Sequence, residues 1–298
     1  MRSPRTFGSP LYPAMTQRIL VVLDPDSDTP VATDTAIDIA KRHGGELTGL
    51  AFVDKDSIGQ EVAGGGIGSM YYAERLRERL TEETRQRANE LIARFTEHVE
   101  AAGVRHTGDR VGEGELVRSL LDEMRTHDLL VAGRESHFYY ADPDKRTHTL
   151  GKVLQEAAAA TLIVGEARPE VSRVAVAYDG SAPSARALQK FAHLAPFGTD
   201  VAIEIVHVHG DSEADRMSSE RLRLDAAAYL TAHGFGTVTT TGIESSHPAD
   251  RICDLAQGDR ADLVVSGAYA KSGFRKMIFG SSATKLLEEA KVPLFLYH

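Results

Sequence analysis

Residues 18–23, RILVVL, form an apolar run that stops at Asp24. A run without polar alternation suits a parallel strand buried on both faces. Beyond it, Ser27, Asp28 and Thr29 offer helix caps, Pro30 suits a first turn, and Ala32, Ala36, Ile39 and Ala40 fall at helical spacing before Gly44 and Gly45. Residues 46–53 return to a strand pattern. Strand, helix, strand over this length predicts a parallel crossover unit. A stretch carrying Gly64, Gly65, Gly66 and Gly68 reads as a loop with no counterpart later in the chain. A long helix follows over 71–102, where Leu76, Leu80, Ala88, Leu91, Ile92, Phe95 and Val99 keep one apolar face and Arg and Glu fill the rest as a solvated face. The pattern then predicts a strand at 104–111, a helix at 115–127, a strand at 128–132 ending at Gly133, an alanine-rich helix at 152–160 and a strand at 161–164.

After a linker at 166–170 containing Pro169, the same order begins again. Strands are predicted at 174–178, 201–208, 237–241, 261–265 and 294–297, with helices at 184–194, 214–233, 249–257 and 284–290 between them. Asp24, Gly133 and Leu154 return as Asp179, Gly267 and Leu287, and the phrase DLLVAG at 128–133 returns as DLVVSG at 262–267. A unit repeated once per fold makes a two-domain protein rather than a solenoid. The expected organisation is a disordered tail over 1–16, a first domain over 17–166 and a second over 171–298.

Composition narrows the class. The chain has 298 residues, 42 % hydrophobic and 26 % charged, which is ordinary for globular domains and long enough for two cores. No apolar run approaches the roughly 18 residues of a membrane span, so no membrane partner is expected. The formal charge of −9, from 43 acids against 34 bases, argues against a nucleic-acid surface. The single cysteine, Cys253, excludes an internal disulfide framework and falls in a helical pattern as a small apolar residue. Residues 1–14 lack the apolar region of a secretory signal, and MTQRILVVLD from Met15 reads as the true start, so a cytoplasmic location is expected.

The candidate chemistry sits at residues 266–283, SGAYAKSGFRKMIFGSSA. A strand ending in a glycine loop, followed by Gly280, Ser281 and Ser282 at a helix start, gathers backbone amides and a favourable helix dipole around phosphate. Gly267 and Gly280 let the backbone approach a ligand without a Cβ clash. Asp179, in DGS after a strand, reads either as a turn residue or as an acceptor for a ribose or base amine.

The spacing Gly267, Ala270, Gly280-Ser281 resembles the Gly-x2-Gly-x9-Gly-Ser/Thr signature of the universal stress protein family, with Ala270 in place of the second glycine. With the ILVVLD and VAVAYDGS openings, the resemblance covers residues 17–298 twice over. It implies an α/β fold of two tandem doubly wound domains, each a five-stranded parallel sheet of order 3-2-1-4-5 flanked by helices. It also implies a nucleotide at the ends of the first and fourth strands, the switch point of such sheets. Carried onto the second half, Ala177, Tyr178 and Asp179 would border adenine and ribose, and Val208 would close the base pocket. Ser266, Gly267, Tyr269 and Ala270 would line the ribose and phosphate path, and Gly280, Ser281, Ser282 and Ala283 would hold phosphates. The resemblance implies ATP or AMP as ligand, with Mg2+ or Mn2+ on the phosphates. It further implies pairing of the fifth strands, 161–164 against 294–297, within the chain, and leaves a homodimer of whole chains open.

The first half departs from that signature. Thr147 and His148 stand at the positions of Gly280 and Ser281, Ser136 at that of Ala270, and the loop adds Asp142 and Asp144. A β-branched residue and two carboxylates disfavour phosphate, so this half is expected to be a degenerate partner. His207 and His209 form a minimal metal pair without a third ligand, and His137, His148, Asp142 and Asp144 a second candidate cluster. No nucleophile, base and orienting acid are brought together in the pattern, so an enzyme beyond a slow ATPase is not indicated. Two functional classes remain. One is a stress-response adenine nucleotide-binding regulatory module with a single main site in the second half. The other is a nucleotide-free scaffold that acts through partner proteins.

Overall fold

In the computed structural model, which describes residues 16–24, 29–53, 58, 70–113, 116–134, 152–154, 156–258, 260–268 and 281–298, the first apolar run forms a strand whose Ile19, Leu20 and Val21 are fully buried. The first half comprises β1 (Arg18–Val22), α1 (Thr29–His43), β2 (Glu46–Val53), α2 (Met70–Ala101), β3 (Arg105–His106), β4 (Arg110–Glu113), α3 (Leu116–Met124), β5 (Leu129–Gly133) and β6 (Ala160–Val164). The second comprises β7 (Arg173–Ala177), α4 (Ala182–Leu194), β8 (Ala202–His209), α5 (Glu213–Ala232), β9 (Thr237–Glu244), α6 (Pro248–Leu255), β10 (Leu263–Gly267), α7 (Ser281–Glu289) and β11 (Leu294–Tyr297).

All these strands lie in one sheet, ordered β3-β2-β1-β5-β6-β11-β10-β7-β8-β9, with β4 also paired to β2. Within each half every pairing is parallel. Counting β3 and β4 as one broken strand, each half has the order third, second, first, fourth, fifth. Successive residues of the buried strands alternate between two cores. Ile19, Val21 and Phe295 share one with α1, α2, α4 and α5, and Leu20, Val22 and Leu296 share the other with α3, α6 and α7. This is the doubly wound arrangement.

Three sequence expectations change in detail. The strand expected at 104–111 is broken at Gly108, whose φ of +70° lies in the left-handed region, and Asp109 Oδ1 there accepts from Gly49 N at 2.9 Å. A side chain thus stands in for a ladder carbonyl, and pairing resumes only at Arg110. The helix expected at 152–160 gives way earlier, because Ala160 already pairs with Leu129 at the start of β6. Thr16, expected in the tail, is fully buried and donates its hydroxyl to Leu194 O at 2.9 Å.

The halves meet where β6 pairs antiparallel with β11, Ile163 opposite Leu294 and Thr161 opposite Leu296. Two edges that would expose unpaired amides and carbonyls cover each other, as the expected fifth-strand pairing requires. Polar ties flank this seam. His43 Nε2 bonds Ala195 O at 3.1 Å, and Arg168 Nε donates to Asp38 Oδ2 at 2.9 Å. Arg134, directly after β5, donates from its guanidinium to Ala290 O and, at 2.6 Å, to Val292 O. These carbonyls follow the C-terminal end of α7, where a cation complements the helix dipole.

A shared device starts the central strands. Asp128 Oδ2 accepts from Gln17 N and Arg18 N at 2.9 and 3.0 Å. Asp262 Oδ2 accepts from Ser172 N and Arg173 N at 3.1 and 2.8 Å, and its Oδ1 from Arg173 Nη2 at 2.7 Å. Burial pushes the Asp262 carboxyl up, but the bonds from Arg173 and Ser172 outweigh it and bring the pKa to about 2.

Two stability measurements follow from these contacts. Asp262→Asn is expected to lower the unfolding free energy by about 2 kcal/mol near neutral pH in urea titrations. A folded pKa of about 2 lies below the roughly 3.9 of an unfolded aspartate, so the wild-type advantage holds above that value and disappears as pH falls through about 2. A difference unchanged between neutral and acid pH would show that the carboxylate charge is not what holds the strands. Arg134→Ala is expected to cost about 2 kcal/mol through two lost charged hydrogen bonds, seen as a lower urea midpoint, whereas an unchanged midpoint would mean that water serves those carbonyls equally well.

Candidate functional site

The candidate site lies at the carboxyl ends of β7 and β10, which are direct neighbours with Ala177 opposite Ser266. Here the chain leaves β7 toward α4 on one face and β10 toward α7 on the other, the divergence that defines a switch point. Ala177 is buried, and Tyr178 N donates to Val206 O at 2.9 Å, continuing the ladder for one residue past the strand. Burial, with Asp179 and Asp225 nearby, raises the Tyr178 phenol above its ordinary pKa.

Asp179 heads the turn into α4. Its Oδ1 accepts from Ser181 N at 2.9 Å. Burial pushes its carboxyl up, but hydrogen bonds from Ser181 and Ser184 prevail and hold it below the usual carboxylate range. Ser181 caps α4 by accepting from Ser184 N, and Gly180 turns at φ +74° with Leu222 filling the place of a side chain. Asp179 thus shapes the turn and stays charged there.

Gly267 has a structural reason of its own. A Cβ on it would lie 2.7 Å from Ser184 N and 2.8 Å from the Pro183 carbonyl carbon, so the end of β10 is pressed against the start of α4. Ser266 is nearly buried, its Oγ donating to Gly267 O at 3.2 Å, and Ala268 N donates to Tyr297 O at 2.9 Å. Val208 lies near the end of β8, opposite Ile243 of β9.

Tyr269, Ala270 and Gly280 lie outside the described residues. Ser281, Ser282 and Ala283 begin α7, with side chains outside the description. Further along, Leu286 and Leu287 bury this helix, Lys285 pairs with Asp250, and Gln257 Nε2 donates to Glu289 O at 3.3 Å. With Arg134 reaching its far end, α7 is clamped from both halves.

His207, which the sequence offered as half of a metal pair, lies close to Asp179. Its buried Nδ1 has no hydrogen-bond partner among the described residues, and burial lowers the imidazole pKa while Asp179 opposes that shift. A buried ring nitrogen without a partner beside an acidic turn is suited to a ligand or a water. The reach of Arg134 across the seam likewise had no signal in the sequence.

The alternative chemistries gain no support. The rings of His207 and His209 are 6.4 Å apart, and His209 Nδ1 is committed to Gly210 O at 2.7 Å. Among the described residues no three His, Cys, Asp or Glu side chains are gathered as metal ligands. His137, His148, Asp142, Asp144, Ser136 and Thr147 lie outside the described residues. Cys253 is buried, and burial pushes its thiol up to about 11, which leaves it unreactive. Among the described residues no helix is long and apolar enough to cross a membrane.

Comparison with known proteins agrees with this architecture. No curated protein matches the chain at a significant level. A universal stress protein from Archaeoglobus fulgidus is similar to it at 16% identity and a TM-score of 0.65, over 94% of this chain and 97% of that one. A functionally unknown protein from Pseudomonas aeruginosa PAO1 is similar at 18% identity and a TM-score of 0.57, over 95% of this chain and 92% of that one. At these identities the likeness speaks for the fold. The universal stress protein family profile matches residues 15–164 and again 170–298, so both halves carry its pattern and the chain belongs to that family.

Proposed function

We infer that the chain is a stress-response regulatory protein that binds an adenine nucleotide, ATP or AMP, at one main site in its second half. The observation that carries this reading is the convergence of the Ala177–Asp179 turn, the Ser266-Gly267 end of β10 and a His207 Nδ1 without a partner among the described residues at one switch point. Asp179 would accept from the ribose or the base, and the amides at the start of α7 would face the phosphates. Mg2+ or Mn2+ would accompany the phosphates and reduce their mutual repulsion. The first half would act as a structural partner, with bound nucleotide altering the surface offered to partner proteins. Chemistry beyond slow hydrolysis has no support from these residues.

One observation favours the second reading, a nucleotide-free scaffold. Asp179 already has Ser181 and Ser184 as partners, and packing against α4 alone accounts for Gly267. The two readings separate on purified protein: adenine-containing material released on denaturation supports the first, and its absence, with no ATP binding in calorimetry, supports the second.

Gly280→Val would place a β-branched side chain where phosphate must approach, while the buried strands keep their core. It is expected to weaken ATP binding by about 2 kcal/mol, roughly thirtyfold, in calorimetry. Thr147→Val is expected to leave affinity unchanged and the stoichiometry at one nucleotide per chain. Equal ATP affinity in folded Gly280→Val and wild type would remove the phosphate-cradle reading.

A further inference from the structure

The halves differ where their first two helices meet. Gly103 and Gly234 both take positive φ just beyond α2 and α5, and alignment on them sets Leu91 opposite Leu222 and Arg94 opposite Asp225. Alignment on Asp24 and Asp179 sets Leu23 opposite Tyr178. In the second half Tyr178 packs against the core close to Asp225 of α5. In the first half the smaller Leu23 stands in its place. The corresponding place is a cavity of about 360 Å³, within the roughly 300–1,000 Å³ of small-molecule sites.

Its apolar wall is preformed. Leu23 and Phe95 are 1 % and 3 % exposed, and the Phe95 ring lies over Gly49 so closely that a Cβ there would come within 2.6 Å of it. Polar groups around the cavity are mostly committed. Thr33 Oγ1 donates to Thr29 O at 3.1 Å, His98 pairs with Asp34 at 2.7 Å, and Glu90 pairs with Arg94 at 3.4 Å. Asp24 is buried and engaged with its surroundings. Arg87 lines the same cavity and has no ion-pair partner among the described residues.

We propose that this cavity binds a small organic acid, with an apolar, flat body against Leu23, Leu91 and Phe95 and its carboxylate on Arg87. Guanidinium and carboxylate match as planar, bidentate partners, and the committed floor favours a body without polar groups. Asp24 beneath and Glu90 at the side disfavour a polyphosphate. The site uses residues of the first half alone and is independent of the nucleotide reading.

The test uses the full chain and 2-naphthoate, with the neutral 2-naphthylmethanol for comparison and binding followed by calorimetry. Wild type is expected to bind the acid at least about tenfold more tightly than the alcohol, and Arg87→Ala to remove that preference. Leu23→Tyr places the second half's own residue in the cavity. It is expected to abolish binding while the thermal midpoint stays level or rises, which keeps the loss distinct from misfolding. No binding by wild type, binding that survives Leu23→Tyr, or ATP binding that Leu23→Tyr removes while the acid shows none, would each overturn the proposal.

Discussion

The antiparallel pairing of β6 with β11 is the contact on which the rest of the molecule depends. Each half alone would be a parallel sheet with a buried, apolar fifth strand at its edge, and such an edge invites pairing with another chain. Joining the two edges removes that hazard and makes both apolar layers continuous, so Leu162 and Phe295 share one core and Ile163 and Leu294 the other. The antiparallel sense has a geometric consequence. The carboxyl ends of the first half's strands point opposite to those of the second, so their two switch points lie at opposite ends of the sheet.

That opposition explains how Arg134 reaches α7. The helix runs back along the second half's strands, so its C-terminal end lies beside the first half's switch point while its N-terminal end faces the second's. Arg134, leaving β5 at the first crest, meets the carbonyls of Ala290 and Val292 there. The helix that starts at the second half's switch point is thus held at its far end by an arginine that follows β5 in the first half. An arginine suits this task because one planar group can serve two carbonyls.

The repeats have kept their frame and diverged in their fillings. Asp128 and Asp262 bind the amides at the start of the first strands in the same way, because a carboxylate accepting two backbone amides is hard to replace without leaving donors unpaired. Side chains facing the helices are freer. Phe95 over Gly49 corresponds to a smaller alanine, Ala226, in the second half, whereas Leu23 corresponds to the larger Tyr178. The first exchange is compensated within the core, and the second leaves a cavity.

Strand and helix order was legible in the sequence because buried parallel strands must be apolar on both faces and surface helices on one. Those periods need no tertiary information. Residues 46–53 and 294–297 were placed to the residue for that reason. The break at Gly108 was not, since it depends on Asp109 bonding Gly49 some sixty residues away. The glycine and serine pattern at 266–283 identified a family and a region, but not what each residue does there. Only the folded chain shows that Gly267 makes room for the start of α4, that Ser181 and Ser184 hold Asp179 charged, and that Arg134 crosses from the other half. Local pattern records what each segment must bury, whereas contacts between segments distant in the chain depend on how the elements pack, and no periodicity encodes that.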